Sequence, residues 1–285
     1  MKNQTINIKG ELIDLATPLV MGIVNVTPDS FYKGSRSQSE KEIIERVQQI
    51  IDEGGAIIDM GGQSTRPTST LLTAKEELER IEPALVLVQK EFPNATISID
   101  TFYAEVAKIA VEKYGVSMIN DISGGQIDKN MFHTVAQLNV PYILMHMRGT
   151  PQTMQQLTDY DNFIEEIIFY FSEKIAHLNA LGVNDIIVDP GFGFSKTLQQ
   201  NYELMAHLKY FHIFETPLLV GVSRKSMTYK LLGTNAEGSL NGTTVLNTYA
   251  LQSGANILRV HDVKEAMDCV KLMTELNKYS TQPLI

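Results

Sequence analysis

Short apolar runs rich in valine and isoleucine alternate with longer amphipathic stretches from about residue 19 almost to the end of the chain. This alternation is typical of βα units, in which parallel strands are joined by helices. Eight of the runs are nearly continuously apolar, as expected of parallel strands that are buried on both faces. The predicted strands span residues 19–26, 56–60, 96–100, 117–121, 141–147, 186–189, 218–223 and 256–261.

The amphipathic stretches between these runs predict helices. They span residues 40–52, 73–91, 104–113, 130–138, 162–181 and 263–277. Glycines stand where three of these helices should end, as C-cap glycines do, at Gly54 and Gly55, Gly115 and Gly182. Residues 1–15, with Gly10 between polar alternating stretches, predict a small hairpin that closes the bottom of the fold.

The strand count favours an α/β fold of the (β/α)8 (TIM) barrel class. Such barrels have a typical length of about 250 residues, close to the 285 residues of this chain. No linker, low-complexity tract or charge block marks a second domain, so residues 1–285 are expected to form a single domain. An open doubly wound sheet would produce the same alternation, and the count alone does not exclude it.

Polar residues at the strand ends favour the barrel over the open sheet. Almost every predicted strand ends in a side chain able to do chemistry, and in a barrel these ends converge on one face. Any one of these residues could instead be a helix N-cap, but the whole set is poorly explained in that way. The set comprises Asn25, Asp59, Asp100, Asn120, Asp121, His146, Asp189, Ser223, Lys225, Arg259 and His261.

The composition restricts the partners and the compartment. With 24 Lys and Arg against 33 Asp and Glu, the formal net charge is −9, so neither nucleic acid nor an anionic membrane is expected as a main partner. The single cysteine, Cys269, cannot form an intramolecular disulfide. No apolar run approaches the roughly eighteen residues of a membrane span, and the polar start is unlike a signal peptide. We expect a cytoplasmic protein in which local cations hold any anionic substrate.

Two loops have the composition of anion-binding loops. They read NVTPDSF at residues 25–31 and GGQSTRP at residues 61–67, where Arg66 can supply a bidentate cation. Both could equally be plain turn-rich connections. Three later strand ends offer further candidate groups for a ligand, and they read DPGFGF at residues 189–194, GVSRKS at residues 221–226 and RVHD at residues 259–262.

Four shorter runs accompany these motifs, namely STRP at residues 64–67, DT at 100–101, IND at 119–121 and MHM at 145–147. Together the runs resemble the dihydropteroate synthase family of pterin-binding barrels. They occur in the order found in that family, and the resemblance extends from Val20 to about Met273. The resemblance implies condensation of a 7,8-dihydropterin that carries a hydroxymethyl diphosphate with 4-aminobenzoate. The products would be pyrophosphate and 7,8-dihydropteroate, for folate synthesis. It also implies a (β/α)8 barrel, Mg²⁺ on the pyrophosphate, a homodimer and inhibition by sulfonamides.

The same resemblance assigns roles to individual residues. On the pterin, it places Asp189 and Asn120 at the amino and N3 side, Lys225 at the ring oxygen and N5, Arg259 on the ring face and Asp100 nearest the reacting methylene. On the diphosphate, it places Asn25 with Mg²⁺, Arg66 and His261. Around 4-aminobenzoate, it places Phe31, Pro67 and Phe194 as walls, with Thr65 and Ser226 near the two ends. The expected catalytic residues are Asp100, Lys225, Arg66 and His261.

Two departures from the commonest family pattern affect these expectations. In the second loop Gln63 stands in place of a glutamate and Thr68 in place of a glycine, which puts a glutamate-dependent role at that position in doubt. After Phe31 the first loop continues as YKGS, where the family often has an acidic residue followed by glycines. This change adds positive charge near the expected pyrophosphate.

Two alternatives share the pterin-binding barrel. A folate-dependent methyltransferase domain delivers a methyl group to a corrinoid and does not need the loops at residues 25–31 and 64–67, both of which are present here. A pterin-binding relative without catalysis, acting as a carrier or regulator, belongs to another functional class. The presence of Asn25, Thr65, Arg66, Lys225 and His261 argues against it.

Overall fold

The structure, a computed structural model, describes residues 4–26, 36–63 and 70–280. Within these ranges the strands form two sheets. A two-stranded antiparallel sheet pairs β1 (Thr5–Ile8) with β2 (Glu11–Asp14). An eight-stranded parallel sheet contains β3 (Leu19–Asn25), β4 (Ile57–Gly61), β5 (Ile97–Asp100), β6 (Met118–Asp121), β7 (Tyr142–Met145), β8 (Ile186–Asp189), β9 (Leu219–Val220) and β10 (Ile257–Val260).

Helices follow the parallel strands and cover the outside of the large sheet. They are α1 (Arg36–Asp52), α2 (Ala74–Glu91), α3 (Ala104–Tyr114), α4 (Met131–Leu138), α5 (Phe163–Ala180), α6 (Leu198–Ala206), α7 (Ser226–Leu232), α8 (Leu240–Gln252) and α9 (Val263–Ser280). Short 3₁₀ segments lie at Met154–Gln156, Leu208–Phe214 and Glu237–Ser239. None of the helices in the described ranges is long and apolar enough to cross a membrane.

The eight parallel strands close into a barrel. Their hydrogen-bonded order is β8-β7-β6-β5-β4-β3-β10-β9. The remaining gap is bridged because Val188 in β8 pairs in parallel with Leu218, the residue before β9, and its backbone N–H donates to Pro217 at 2.9 Å. This closure confirms the (β/α)8 barrel and excludes the open doubly wound sheet.

The predicted N-terminal hairpin is confirmed, and it plugs the amino-terminal end of the barrel. Its apolar side chains pack with the first inward-facing layer of the strands in one buried cluster of Ile6, Ile8, Leu15, Met21, Ile57, Met118, Ile143, Ile187, Leu219 and Ile257. Two hydrogen bonds also link the N-terminal segment to the barrel. The Asn7 N–H donates to Asp185 at 2.9 Å, and the Gln4 amide donates to the Thr216 carbonyl at 2.9 Å. The opposite end of the barrel is left for a ligand site.

The structure differs from the sequence prediction mainly in the last third of the chain. The seventh predicted strand, residues 218–223, is paired only from Leu218 to Val220, because the residues after Val220 leave the ladder. Helices α6 and α8 were not predicted, whereas a helix was expected directly after residues 221–226, where α7 begins. The start of α6 did carry a signal, since Thr197 and Gln200 form a capping box. The predicted C-cap at Gly115 is confirmed by its left-handed φ of 60°.

The plug makes a prediction about stability. Replacing Ile6, which is fully buried, by Ala should lower the free energy of unfolding by about 2 to 5 kcal/mol, because it leaves a cavity in the cluster. Leu12, on the same hairpin but 68% exposed, is the matched control, and its replacement by Ala should change little. Urea denaturation measures both. Equally small losses would contradict the role of the hairpin as a plug.

Candidate active site

Arg259 at the end of β10 organises the carboxyl-terminal mouth of the barrel. Its Nε donates to Asp59 Oδ2 at 2.7 Å, and its Nη2 donates to Asp100 Oδ2 at 2.8 Å. The Asn120 amide also donates to Asp59 Oδ2, at 3.0 Å. The ends of β4, β5, β6 and β10 are thereby joined in one buried polar array, which contains three of the expected pterin-binding residues.

Burial and the neighbouring charges act in opposite directions on the pKa values of the ionisable groups in this array. Burial would lower the pKa of Arg259, but the carboxylates of Asp59 and Asp100 outweigh it and raise that pKa above its ordinary value. Burial raises the pKa of Asp100 to about 7, although Arg259 acts in the opposite direction. Asp100 therefore titrates near neutral pH, as functional carboxyls often do. A positive charge that develops beside it would favour its ionised form.

Asp189 and Lys225 meet the same short loop, residues 190–194. Asp189 Oδ1 accepts a hydrogen bond from the Gly191 N–H at 2.8 Å, while Lys225 Nζ donates to the Phe192 carbonyl. Lys225 Nζ also lies 4.7 Å from the centre of the Phe194 ring. Burial lowers the pKa of Lys225 to about 8, with Asp189 opposing the shift, and burial raises the pKa of Asp189, with Lys225 opposing it. The loop thus positions both residues expected to contact the pterin.

His261 lies beside an open cavity of about 490 Å³ that also has Asn25, Arg46 and Arg224 in its wall. Its Nδ1 lies 3.2 Å from Ser223 Oγ, and its backbone N–H donates to the same hydroxyl at 3.1 Å. Burial, followed by the charges of Arg259 and Arg224, lowers the pKa of His261 to about 4. At neutral pH the His261 ring is therefore uncharged in the ligand-free protein.

The remaining expected site residues fall into two groups. Ser226 is the first residue of α7, and the Phe194 ring lies beside the Lys225 ammonium. The other expected residues, Phe31, Thr65, Arg66 and Pro67, lie outside the described residues, as does Thr68.

Gln63, one of the departures from the family pattern, lies at the base of the second loop. Its Oε1 accepts from the Leu72 N–H at 2.9 Å, and its Nε2 donates to the Thr70 carbonyl at 3.3 Å. A glutamate could make the first of these bonds but, when ionised, not the second.

Sequence reasoning missed two residues with clear roles at the mouth. Asp59 was recognised as a polar strand end but was not placed in the site, yet it binds both Arg259 and Asn120. Arg46 in α1 carried no signal in its surroundings. It donates to the carbonyls of Ile23 and His261 and so joins the ends of β3 and β10 beside the cavity.

Comparison with known proteins agrees with this geometry. A family model described as "Pterin binding enzyme" matches residues 21–261. The dihydropteroate synthase of Escherichia coli strain K12 is 40% identical over 267 residues, which cover 93% of this chain and 94% of that protein. The chain belongs to the dihydropteroate synthase family.

Solved structures of dihydropteroate synthases extend the likeness to the fold. The enzyme of Yersinia pestis in a sulfonamide drug complex has a TM-score of 0.88 and 37% identity, covering 96% of this chain and 99% of that one. The enzyme of Xanthomonas albilineans with 4-aminobenzoic acid has a TM-score of 0.87 and 33% identity, covering 99% and 100%. The dihydropteroate synthase family and its transferase activity in folate synthesis, both expected from the motifs, are thereby confirmed. Membership of this family decides against the methyltransferase alternative.

The surroundings of His261 predict how it responds to pH and to an anion. Its ring should stay neutral down to about pH 4 in the ligand-free protein. The unfolded chain takes up this proton near pH 6.5, so His261 should lower stability progressively as the pH falls from about 6.5 to about 4. Pyrophosphate bound beside the ring should raise its pKa and make binding take up protons.

A ¹⁵N NMR titration of the histidine rings, with and without pyrophosphate, measures this shift. The variant His261→Gln assigns the signal by its loss. His133 is an exposed histidine in α4 and serves as an internal reference that pyrophosphate should not affect. A His261 titration that pyrophosphate leaves unchanged would place the anion elsewhere.

Proposed function

We propose that this chain catalyses the family reaction with the strand ends of its barrel mouth. The reaction condenses (7,8-dihydropterin-6-yl)methyl diphosphate with 4-aminobenzoate to give 7,8-dihydropteroate and pyrophosphate. The observation that carries the proposal is that two polar groups meet at the mouth. One is the array in which Arg259 joins Asp59 and Asp100, and the other is Asp189 and Lys225, which share one loop.

The array matches the chemistry of a pterin ring. The aminopyrimidinone edge presents N–H donors, and Asp189 can accept them, since only its Oδ1 is engaged by Gly191. Lys225 uses one hydrogen on the Phe192 carbonyl and has others for the ring oxygen and N5. The guanidinium of Arg259 is held through its edge by two carboxylates, which leaves its planar face for stacking on the ring.

The chemistry follows from charge development during bond cleavage. When the methylene C–O bond breaks, its electrons leave with the diphosphate, and the pterin-bearing methylene becomes positive. Ionised Asp100 faces this positive charge and stabilises it. The amine of 4-aminobenzoate then forms the new C–N bond and loses a proton. No side-chain nucleophile is needed, in agreement with the burial of Cys269 in α9, away from the mouth.

Mg²⁺ would act on the diphosphate end of the substrate. Within the described ranges no three His, Cys, Asp or Glu side chains cluster as a metal site. The exposed amide of Asn25, at the end of β3 and in the cavity wall beside His261, fits a single oxygen ligand. Mg²⁺ often binds through one or two protein groups and substrate phosphates. Bound there, the ion would neutralise charge that builds up on the leaving diphosphate.

The other substrate contacts carry over from the family. Arg66 and neutral His261 would bind the diphosphate, His261 through a hydrogen bond or a proton gained on binding. Around 4-aminobenzoate, Phe194 would form a wall with Phe31 and Pro67, and Thr65 and Ser226 would lie near its ends. We also propose that the chain works as one domain in the cytoplasm, where the lone Cys269 needs no disulfide.

Asp189 tests the proposed pterin contact. Asp189→Asn should weaken pterin binding by about 1 to 3 kcal/mol, because it removes a buried charged acceptor, and turnover should fall with it. Calorimetry with the pterin and pyrophosphate release from pterin diphosphate, with and without 4-aminobenzoate, measure the two effects. Release that requires 4-aminobenzoate supports the synthase, and no release in either case would indicate the carrier.

Asp121→Asn is the matched control for Asp189→Asn. Asp121 is an equally buried aspartate at a strand end, but its carboxylate binds Tyr142 and the N–H groups of Ser123 and Gly125. The control should lose stability and keep pterin affinity. Unchanged affinity in Asp189→Asn would remove Asp189 from the pterin site.

A homodimer is proposed through an apolar face formed by α7, α8 and α9. Adjacent helices in this set contact each other, and they expose large apolar side chains that a monomer would leave in water. The apolar face comprises Leu231, Leu232, Val245, Tyr249, Leu272, Leu276 and Tyr279, between 41% and 67% exposed.

One charge in this face should dissociate the dimer. Leu272→Glu buries a carboxylate against apolar side chains of the second copy, so sedimentation velocity at micromolar concentration should show monomers. Phe169→Glu, on α5 and similarly exposed, should stay dimeric. A monomeric parent protein at the same concentration would refute the dimer, and dissociation by Phe169→Glu alone would place it on another face.

A further inference from the structure

A buried lysine outside the pterin site holds the loop on which that site rests. Lys196 follows the loop of residues 190–194 and is only 3% exposed. Its Nζ lies 2.9 Å from each of three polar atoms, namely the Gly191 carbonyl, the Phe194 carbonyl and His146 Nδ1. An ammonium group has three hydrogens, so these partners satisfy it completely.

The segment that Lys196 binds provides hydrogen-bond and ring partners for two of the proposed pterin-binding side chains, those of Asp189 and Lys225. Gly191 donates its N–H to Asp189, Phe192 accepts from Lys225, and the Phe194 ring lies beside the Lys225 ammonium. The two carbonyls bound by Lys196, those of Gly191 and Phe194, stand on either side of Phe192. A shift of the segment would therefore move the partners of Asp189 and Lys225 together.

The backbone of this segment turns tightly against the end of β7. Gly191 and Gly193 have φ angles of 74° and 83°, and Ser195 has a φ of 51°, which is uncommon for a residue with a side chain. Gly191 also lies against the end of β7, since an added Cβ would be 2.0 Å from the His146 carbonyl oxygen. Glycine adopts a positive φ without steric cost, whereas the positive φ of Ser195 persists only where surrounding contacts hold it.

His146 gives Lys196 a fixed point of attachment. Its ring is buried and packs edge-on against Tyr170 at a centroid distance of 4.8 Å. Burial, followed by the charge of Lys196, holds the pKa of His146 well below its ordinary value, so its ring is neutral. Burial also lowers the pKa of Lys196. A neutral amine would keep all three contacts, donating to the two carbonyls and accepting from the N–H of the other His146 tautomer.

We propose that Lys196 is a positioning residue for pterin binding, which fixes residues 191–194 against His146 and thereby sets where Asp189 and Lys225 meet the ring. The proposal rests on the proposed function of those two residues. It concerns the contacts that the buried Lys196 side chain makes within the protein, to Gly191, Phe194 and His146.

Lys196→Met keeps the length and apolar stem of the side chain but removes all three hydrogen bonds. Pterin affinity, measured by titration of pterin fluorescence with a pterin lacking phosphates, should fall at least about tenfold, the scale of one buried charged hydrogen bond. The KM for 4-aminobenzoate at saturating pterin diphosphate should rise as well, because the proposed Phe194 wall belongs to the same segment. Lys196→Gln, which keeps donors for one carbonyl, should lose less affinity than Lys196→Met and covers the case in which Lys196→Met does not fold.

Lys174→Met is the matched control. Lys174 is a partly buried lysine near aromatic rings, and it donates to the Gly124 carbonyl at 2.6 Å, in the loop after β6. Its replacement should lower stability and leave pterin affinity unchanged. A second readout is the titration of Lys225, whose pKa of about 8 should fall further in Lys196→Met, because the Phe192 carbonyl that accepts from its ammonium shifts away.

The outcomes separate this inference from the proposed function. Unchanged pterin affinity in both Lys196→Met and Lys196→Gln, or an equal loss in Lys174→Met, would overturn the positioning role. An Asp189→Asn variant measured in parallel should lose affinity whichever of these holds. If the parent protein does not bind the pterin, or Asp189→Asn binds it equally well, the proposed function fails instead.

Discussion

The pairing of Arg259 with Asp59 and Asp100 is the interaction on which the mouth of this barrel depends. Taking a guanidinium and two carboxylates out of water costs several kcal/mol for each ion, and only close pairing offsets that cost. Between β10 and β4 lies β3, so the Arg259 side chain reaches past a whole strand to find its partners. The two ion pairs hold only if the strands keep their register, and the geometry of the site is in this way coupled to closure of the barrel.

Two buried groups at the mouth have pKa values near neutral pH. Burial brings Asp100 to a pKa of about 7 and Lys225 to about 8, from opposite directions. In the free protein, small changes in the local field alter the protonation of both groups. A bound pterin that gains positive charge would favour ionised Asp100, whereas a ring that accepts hydrogen bonds would favour protonated Lys225. The substrate therefore helps to set the charge state that its own conversion requires.

Much of this site was predictable, because polar residues at the ends of parallel strands indicate which face of the barrel forms the site. Asp100, Asn120, Asp189, Lys225 and Arg259 were placed together on that basis and by family resemblance. Which residues pair was not predictable, since Asp59 and Arg259 are 200 positions apart in sequence and meet only when the barrel closes. The neutral state of His261 depends on burial, which composition does not reveal. Helix α8 was missed because its glycine, threonines and asparagines give little apolar periodicity.

The plug at the other end of the barrel has a consequence for synthesis of the chain. The hairpin leaves the ribosome before the strands that it covers, and its apolar side chains pack against Leu219 and also against Ile257, about 250 residues later in the chain. At roughly 5 to 20 residues per second, some 250 residues of further elongation take on the order of ten to fifty seconds. Throughout that interval Ile6 and Ile8 lack some of their packing partners, so the nascent chain exposes an apolar segment that is prone to aggregate. Chaperones that bind such segments would act on the hairpin until β10 emerges.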